Sequence, residues 1–250
     1  MVVIARFSVV RLSKASVAYI FLSRVVLGIT ILVSASIIRP VMAADGDSGA
    51  EQLRQFVRNS KTAEGEFVQQ QLRAPKANEP QDKGLKVVRQ TQGRFVFQRP
   101  GRFIWDTQKP YEQTLIADGK QLILWDKDLN QATFRSSGQA LASTPAAILF
   151  GETSLDQHFD LVEGEERLGM RWVALIPKRK QNTSNEKAHD LPYTKISVGM
   201  ANNLPKALEL IDGLGSVVLV TLDKIQLNIS LPANRFTFSP PAGAEVLRLN

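Results

Sequence analysis

Residues Arg94–Asp106 read RFVFQRPGRFIWD, and this stretch decides the kind of fold. Phe95 and Phe97 alternate with non-aromatic residues, and after a Pro-Gly step Phe103 and Trp105 alternate in the same way. Side chains of a β-strand point to opposite faces in turn. The stretch therefore predicts two β-strands that each present an aromatic face.

Alternation of this kind recurs at short spacing along most of the chain. It runs from the segment around Phe67 to a last pair of predicted strands, 216–223 and 224–230. The tripeptide Asp118-Gly119-Lys120 separates two such runs and predicts a hairpin. We count about eleven strands, interrupted by two polar loops at 73–84 and 178–192.

Two short segments have helical spacing instead. Residues 51–59 place Leu53, Phe56 and Val57 on one face of a helix. Thr144-Pro145 supplies an N-cap and a first helical residue for the uncharged segment 146–150. Such a short apolar helix needs an apolar surface to pack against.

Many short strands favour an antiparallel sandwich or barrel. A wide aromatic face covered only by two small helices suggests a hollow that opens. The residues alone leave a closed barrel with a filled core as the alternative.

The N-terminal segment has the features of an export signal. Residues 1–43 contain basic residues and no acid, and the 14-residue apolar run Val25–Ile38 precedes Val41-Met42-Ala43. This order predicts a cleaved signal peptide, followed by one domain over residues 44–250. An uncleaved membrane anchor is the alternative.

Charge and cysteine content exclude several functions. The chain has 31 Lys and Arg residues against 24 Asp and Glu, but five of the basic residues lie in 1–43, so the remainder carries only +2. A domain so nearly neutral is not expected to bind nucleic acid. The absence of cysteine excludes disulfides, thiolate metal sites and a cysteine nucleophile.

Catalytic patterns are scarce. The two histidines, His158 and His189, lack zinc-ligand spacing, and no catalytic metal or cofactor is expected. If the protein is an enzyme, it would act on a lipid or glycolipid, with His158 and Asp160 as the acid–base pair. This is the alternative to a binding function without catalysis. The acids of the neighbouring run are interpreted as a solvated strand end: Glu163, Glu165 and Glu166.

Arg99 allows two interpretations. Pro100 favours an extended backbone at Arg99, between the two aromatic strands. Its five N–H donors would suit the unpaired carbonyls at a helix end. The residues alone favour the other interpretation, an exposed arginine in a turn.

Five motifs carry a resemblance to a known family. The segment Arg99–Trp105 (RPGRFIW) resembles the R-P-x-x-F-x-W signature of the LolA family, the periplasmic carriers of outer-membrane lipoproteins. Four further segments resemble family motifs in the family's order: Ala117–Leu122, Leu129–Thr133, Thr144-Pro145 and Phe236–Pro241. The two polar loops are longer than in the family, and the C-terminal part is shorter.

The resemblance implies a fold and a function. It implies a mainly β protein, with a single antiparallel sheet curved into an unclosed barrel and short helices as a lid over a hydrophobic cavity. It also implies a monomeric periplasmic carrier without enzymatic activity or cofactor. Such a carrier takes lipoproteins by their acyl chains from an inner-membrane ABC transporter and delivers them to an outer-membrane receptor.

The resemblance also assigns roles to residues. Arg99 would bond the lid backbone in the closed, empty form, and Phe103 and Trp105 would lie at the mouth and wall of the cavity. A sensor domain that binds the same ligands is a second alternative. The expected ligand-binding residues are Leu53, Phe56, Phe95, Phe97, Arg99, Phe103, Trp105, Leu122, Leu124 and Ile148.

Overall fold

The computed structural model describes residues 47–76, 78, 84–136, 149–150, 155–178 and 193–249. The predicted signal peptide, Ile148, most of the predicted helix at 146–150 and most of both polar loops lie outside these residues. Within the described ranges, no helix has the length and apolar character needed to cross a membrane.

The described residues form two helices and twelve strands. The helices are α1 (Gly49–Asn59) and α2 (Leu155–His158). The first six strands are β1 (Thr62–Arg73), β2 (Lys86–Gln98), β3 (Arg102–Lys109), β4 (Gln113–Asp118), β5 (Gln121–Asp126) and β6 (Gln131–Ser136). The others are β7 (Phe159–Arg167), β8 (Met170–Pro177), β9 (Tyr193–Ala201), β10 (Leu204–Asp212), β11 (Val217–Leu227) and β12 (Glu245–Leu249).

All twelve strands belong to one sheet, in the order β12-β6-β5-β4-β3-β2-β1-β11-β10-β9-β8-β7. Strands β7 and β12 are its two edges and are not paired with each other, so the sheet made by the described strands is not closed into a barrel. The prediction of a mainly β, unclosed sheet is confirmed. The predicted hairpin is also confirmed, because β4 and β5 pair on either side of Asp118-Gly119-Lys120.

The two last predicted strands, 216–223 and 224–230, are one strand. Strand β11 pairs continuously with β1, from Val217 opposite Leu72 to Leu227 opposite Ala63. A bulge in β11, where Lys224 and Ile225 lie opposite Gly65 of β1, and a positive φ of 51° at Lys224 produce the irregularity that the sequence pattern shows. The prediction of two strands was wrong because a bulge bends a strand without ending its pairing.

The prediction that the sheet is antiparallel throughout was wrong at one edge. Strand β12 pairs with β6 in parallel, whereas the sequence predicted only a short tail after residue 241. The preceding segment packs on the outer face of the sheet, with Phe238 5.7 Å from Trp125 and 6.5 Å from Phe134 between ring centroids. The sheet therefore has a second, smaller apolar surface besides its concave face.

Helix α1 lies across β7–β10 on the concave side of the sheet. It begins after Ser48, whose hydroxyl accepts a hydrogen bond from Glu51 N at 3.2 Å. The helix buries Leu53, Phe56 and Val57, as predicted, and ends at Asn59. It thereby covers the part of the sheet that β7–β10 form.

Candidate ligand-binding hollow

Side chains on the concave face form rows that cross neighbouring strands. One row contains Ala63, Phe97, Phe103, Ala117 and Leu122, which are paired from β1 to β5. Each is at most 6% exposed. We call this row, with the lid residues Leu149 and Phe150 that are buried in the same cluster, the closed end.

The next row along the strands marks the start of an open hollow. It pairs Phe95 with Trp105, Trp105 with Leu115, and Leu115 with Leu124. Beyond it lies a cavity of about 330 Å³, whose apolar wall is Trp105, Leu115, Leu124 and Val218. Its other lining residues are polar or amphipathic: Gln69, Gln71, Arg89, Thr91, Thr107, Tyr111 and Gln113.

A stack of aromatic rings connects the lid to the hollow. Phe150 stacks on Phe97 at 4.6 Å and on Phe95 at 4.9 Å between ring centroids. Phe95 in turn lies 6.1 Å from Trp105, which stacks on Phe67 at 3.8 Å. Because Trp105 also lines the hollow, removal of the lid would extend the hollow's apolar surface along the whole stack.

Gly65 makes room for this stack. A Cβ atom at Gly65 would lie 2.6 Å from the ring of Phe95 and 2.9 Å from Asp223 O. A side chain at this position would therefore displace the ring that contacts the lid. The glycine lies opposite the bulge of β11, where the paired strands bend.

Arg99 bonds the lid residue Leu149 and the end of α1. Its Nη2 donates to Leu149 O at 2.8 Å, and its Nε donates to Ser60 O, just after α1, at 3.2 Å. Its guanidinium carbon lies 5.0 Å from the Phe97 ring centroid and 5.6 Å from that of Phe56. The preference for an exposed turn arginine, drawn from the residues alone, was wrong.

The structure separates the expected ligand-binding residues into groups. Trp105 and Leu124 line the hollow, and Phe95 lies in the same row. Phe97 and Leu122 are buried in the closed end, while Leu53 and Phe56 are buried on the inner face of α1. Ile148 lies outside the described residues.

The expected position of Phe103 at the cavity mouth was wrong. Its side chain is 0% exposed and is paired with Phe97 and Ala117 in the closed end. The alternation correctly predicts the face on which Phe103 lies. It cannot predict which row along that face the lid covers.

Glu163 has a role that the sequence did not indicate. Its carboxylate accepts hydrogen bonds from Gly49 N at 3.1 Å and Ala50 N at 2.8 Å, at the start of α1. A carboxylate there satisfies backbone N–H groups that have no partner within the helix and complements the helix dipole. The interpretation as a merely solvated strand end was therefore wrong for Glu163, and more than 110 residues of chain separate it from its partners.

An ion pair joins the helices α1 and α2. Arg54 of α1 donates to both carboxylate oxygens of Asp156 in α2, at 3.0–3.1 Å. Arg54's donation lowers the pKa of Asp156 below its ordinary value of 3.8. The pair lies at the surface, so it positions the helices more than it stabilises the fold.

The residues of the alternative acid–base pair are both exposed. Asp160 forms an ion pair with Lys178 at 3.5 Å, and His158 O accepts a hydrogen bond from Lys178 N at 2.8 Å. Within the ranges that the structure covers, no group of three His, Cys, Asp or Glu residues could hold a metal ion.

An unclosed sheet with a lidded aromatic face and an adjoining hollow defines a ligand-binding β protein. Comparison with known protein families identifies the family. Residues 58–239 match the family described as outer membrane lipoprotein carrier protein LolA, and the chain belongs to this family. The motifs from Arg99 to Pro241 indicated the same family.

Two relatives extend the match over most of the chain. The outer-membrane lipoprotein carrier protein of Cupriavidus pinatubonensis is 41% identical over 222 residues, which cover 87% of this chain and 98% of the relative. That of Ralstonia nicotianae is 42% identical over 207 residues, covering 82% and 90%. A solved LolA superfamily protein from Nitrosomonas europaea is 12% identical, covers 77% of this chain and 99% of its own, and has a TM-score of 0.43.

Proposed function

We propose that this chain is a carrier of outer-membrane lipoproteins that holds their acyl chains against the concave face of the sheet. Its family and the names of its relatives support this function. The structural observation that carries the proposal is the aromatic stack that runs from the lid to the wall of the hollow.

The size of the hollow indicates how acyl chains enter. A volume of about 330 Å³ is at the lower end of the range for small-molecule sites, about 300–1,000 Å³. Several acyl chains need more apolar surface than Trp105, Leu115 and Leu124 provide. Movement of the lid residues away from Phe95 and Phe97 would supply it, and each buried methylene contributes about 0.8 kcal/mol.

Arg99 sets the balance between binding and release. Its bond to Leu149 O exists only while the lid covers the closed end, so it stabilises the empty form. Cargo must displace that bond, which weakens binding and favours transfer to a tighter acceptor. The carrier therefore needs no energy source of its own at the release step.

The route of the cargo follows from the same function. The chain would be exported by the segment 1–43, act in the periplasm, receive lipoproteins from an inner-membrane ABC transporter and pass them to an outer-membrane receptor. It would act as a non-enzymatic carrier, since transfer requires no covalent change in the cargo. The sensor alternative differs in that bound lipoprotein would not be handed on.

Co-purification tests this proposal. Full-length protein produced in a Gram-negative host is isolated from the periplasm, its N-terminus is sequenced, and bound species are identified by mass spectrometry. We expect a mature N-terminus at Ala44 or Asp45 and triacylated lipoprotein in the bound fraction. Two results would contradict the carrier function: recovery of protein that retains residues 1–43 and binds no acylated species, or turnover of a lipid substrate.

A further inference from the structure

The chemistry of the concave face changes along β1 and β2. Closest to the lid, β1 contributes Ala63 and Phe67, but further along the same face it contributes Gln69 and Gln71. The residues paired with these glutamines on β2 are Thr91 and Arg89. The hollow therefore has an apolar inner part and a polar outer part.

Four uncharged side chains in this outer part have hydrogen-bonding capacity that the protein does not use. We call Gln69, Gln71, Thr91 and Thr107 the polar rim. Among the described residues, none of the four side chains forms a hydrogen bond, although Thr91 and Thr107 are at most 9% exposed. Side chains of this kind in a cavity wall are available to a ligand.

The composition of the rim indicates the ligand's chemistry. Each glutamine offers a donor and an acceptor, and each threonine hydroxyl offers both, so the rim matches neutral ester and amide groups. Among the lining residues that the structure describes, Arg89 is the one cation; its guanidinium donates a hydrogen bond to the Tyr111 hydroxyl and lies 4.8 Å from the centroid of that ring. A phosphate site would instead require several cationic or backbone donors.

The spacing also fits a peptide. Gln69 and Gln71 are two residues apart on β1, or about 6.6 Å along the strand. Alternate residues of an extended peptide have the same repeat. From Gln69 to Gln71 the rim therefore faces two residues of an extended peptide.

We propose that the polar rim binds the ester and amide linkages of the acylated residue and the first peptide units that follow it. The inference rests on the proposed carrier function and adds an orientation to it. The acyl chains point from Thr107 towards Trp105 and the lid, and the protein part of the cargo leaves past Gln71. The rim thereby distinguishes an acylated polypeptide from a free fatty acid.

Two probes and a matched pair of variants test the orientation. One probe is a triacylated cysteinyl peptide with four uncharged residues, and the other is a fluorescent fatty acid. Gln69→Met/Gln71→Met preserves side-chain length but removes the amides. Gln70→Met makes the same change on the opposite face of β1, where Gln70 donates to Gln90 at 2.8 Å.

We expect the double variant to bind the lipopeptide about tenfold more weakly, because each neutral hydrogen bond contributes a few-fold in affinity. Its affinity for the fatty acid should stay within twofold of wild type, and Gln70→Met should leave both affinities unchanged. Equal effects on both probes, or none on either, would overturn the rim assignment while the carrier function stands. Wild-type protein that binds neither probe would overturn the carrier function as well.

A third measurement distinguishes a site for peptide units from a site for a phosphate group. Lysophosphatidylglycerol is measured against wild type and Arg89→Gln. Loss of lysophospholipid binding in Arg89→Gln, together with unchanged lipopeptide binding in the glutamine double variant, would overturn the proposal in favour of a phosphate site. Retained lysophospholipid binding in Arg89→Gln, with weakened lipopeptide binding in the double variant, supports it.

Discussion

The closed end and the hollow are built on the same strands but have different chemistry. At the closed end, β1 to β5 contribute only apolar side chains, and Phe103 is completely buried. A few residues further along, the same face carries Trp105 and Leu124 and then the polar rim. The comparison shows that a binding site need not interrupt a fold, because a strand can be part of the core at one end and of a ligand site at the other.

The largest expected effect comes from placing the same charge in both regions. Phe103→Glu buries an unpaired carboxylate in the closed end, which we expect to cost about 4 kcal/mol or more and to unfold much of the protein. Leu124→Glu places the same carboxylate in the wall of the hollow, where Leu124 is only partly buried. That variant should fold but bind an acyl-chain fluorophore at least tenfold more weakly.

Denaturant unfolding and fluorophore titration measure the two outcomes. A stably folded Phe103→Glu that has lost only ligand binding would place Phe103 at the mouth and remove the distinction between the regions. A destabilised Leu124→Glu would show that the wall of the hollow belongs to the core.

Arg99→Leu tests the connection between the regions, because Arg99 holds the lid over the closed end. Loss of hydrogen bonds from a charged donor, about 1.5–3 kcal/mol each, should shift the lid towards the open form by roughly tenfold or more. The variant should take up lipoprotein but release it poorly to a receptor. Arg99→Lys should be partly defective, since lysine lacks the planar fork.

Arg102→Leu is the matched control for Arg99→Leu. Arg102 lies three residues away, and its guanidinium carbon is 5.7 Å from the Phe236 ring. Uptake and release are measured separately for each variant. Equal release by wild type and Arg99→Leu would show that Arg99 does not control opening of the lid, and would leave the hollow as the binding site.

The fold was predictable where the signal is local. Alternation from Phe95 to Trp105 identifies strands because the two-residue period is a property of each strand alone. The parallel pairing of β12 with β6 was not predictable, since Glu245 and Gln131 meet only through tertiary structure. For the same reason the sequence predicted which face Phe103 occupies but not which row, and it gave no sign that Glu163 caps α1.

Glu163→Gln tests whether α1 supports the closed end without affecting the hollow. A neutral amide accepts the hydrogen bonds of Gly49 N and Ala50 N more weakly, and loss of this cap should cost about 1 kcal/mol. Fluorophore affinity should remain within twofold of wild type. The control is Glu165→Gln, an exposed acid on the same strand, and equal destabilisation by both variants would contradict a specific cap.

The smallest expected effect concerns the Arg54–Asp156 pair, which joins the two helices beside the closed end. Since Arg54 lowers the pKa of folded Asp156 below 3.8, the pair stabilises the fold above that pH and loses its contribution as pH falls through the folded pKa. Asp156→Asn should therefore be less stable than wild type by at most about 1 kcal/mol at neutral pH. The difference should vanish in strong acid. Unfolding measured from pH 7 to pH 2 tests this, and adding Asp156→Asn to Arg54→Gln should cost almost nothing further. A difference that persists at pH 2 would assign the effect to packing of α2 instead of charge.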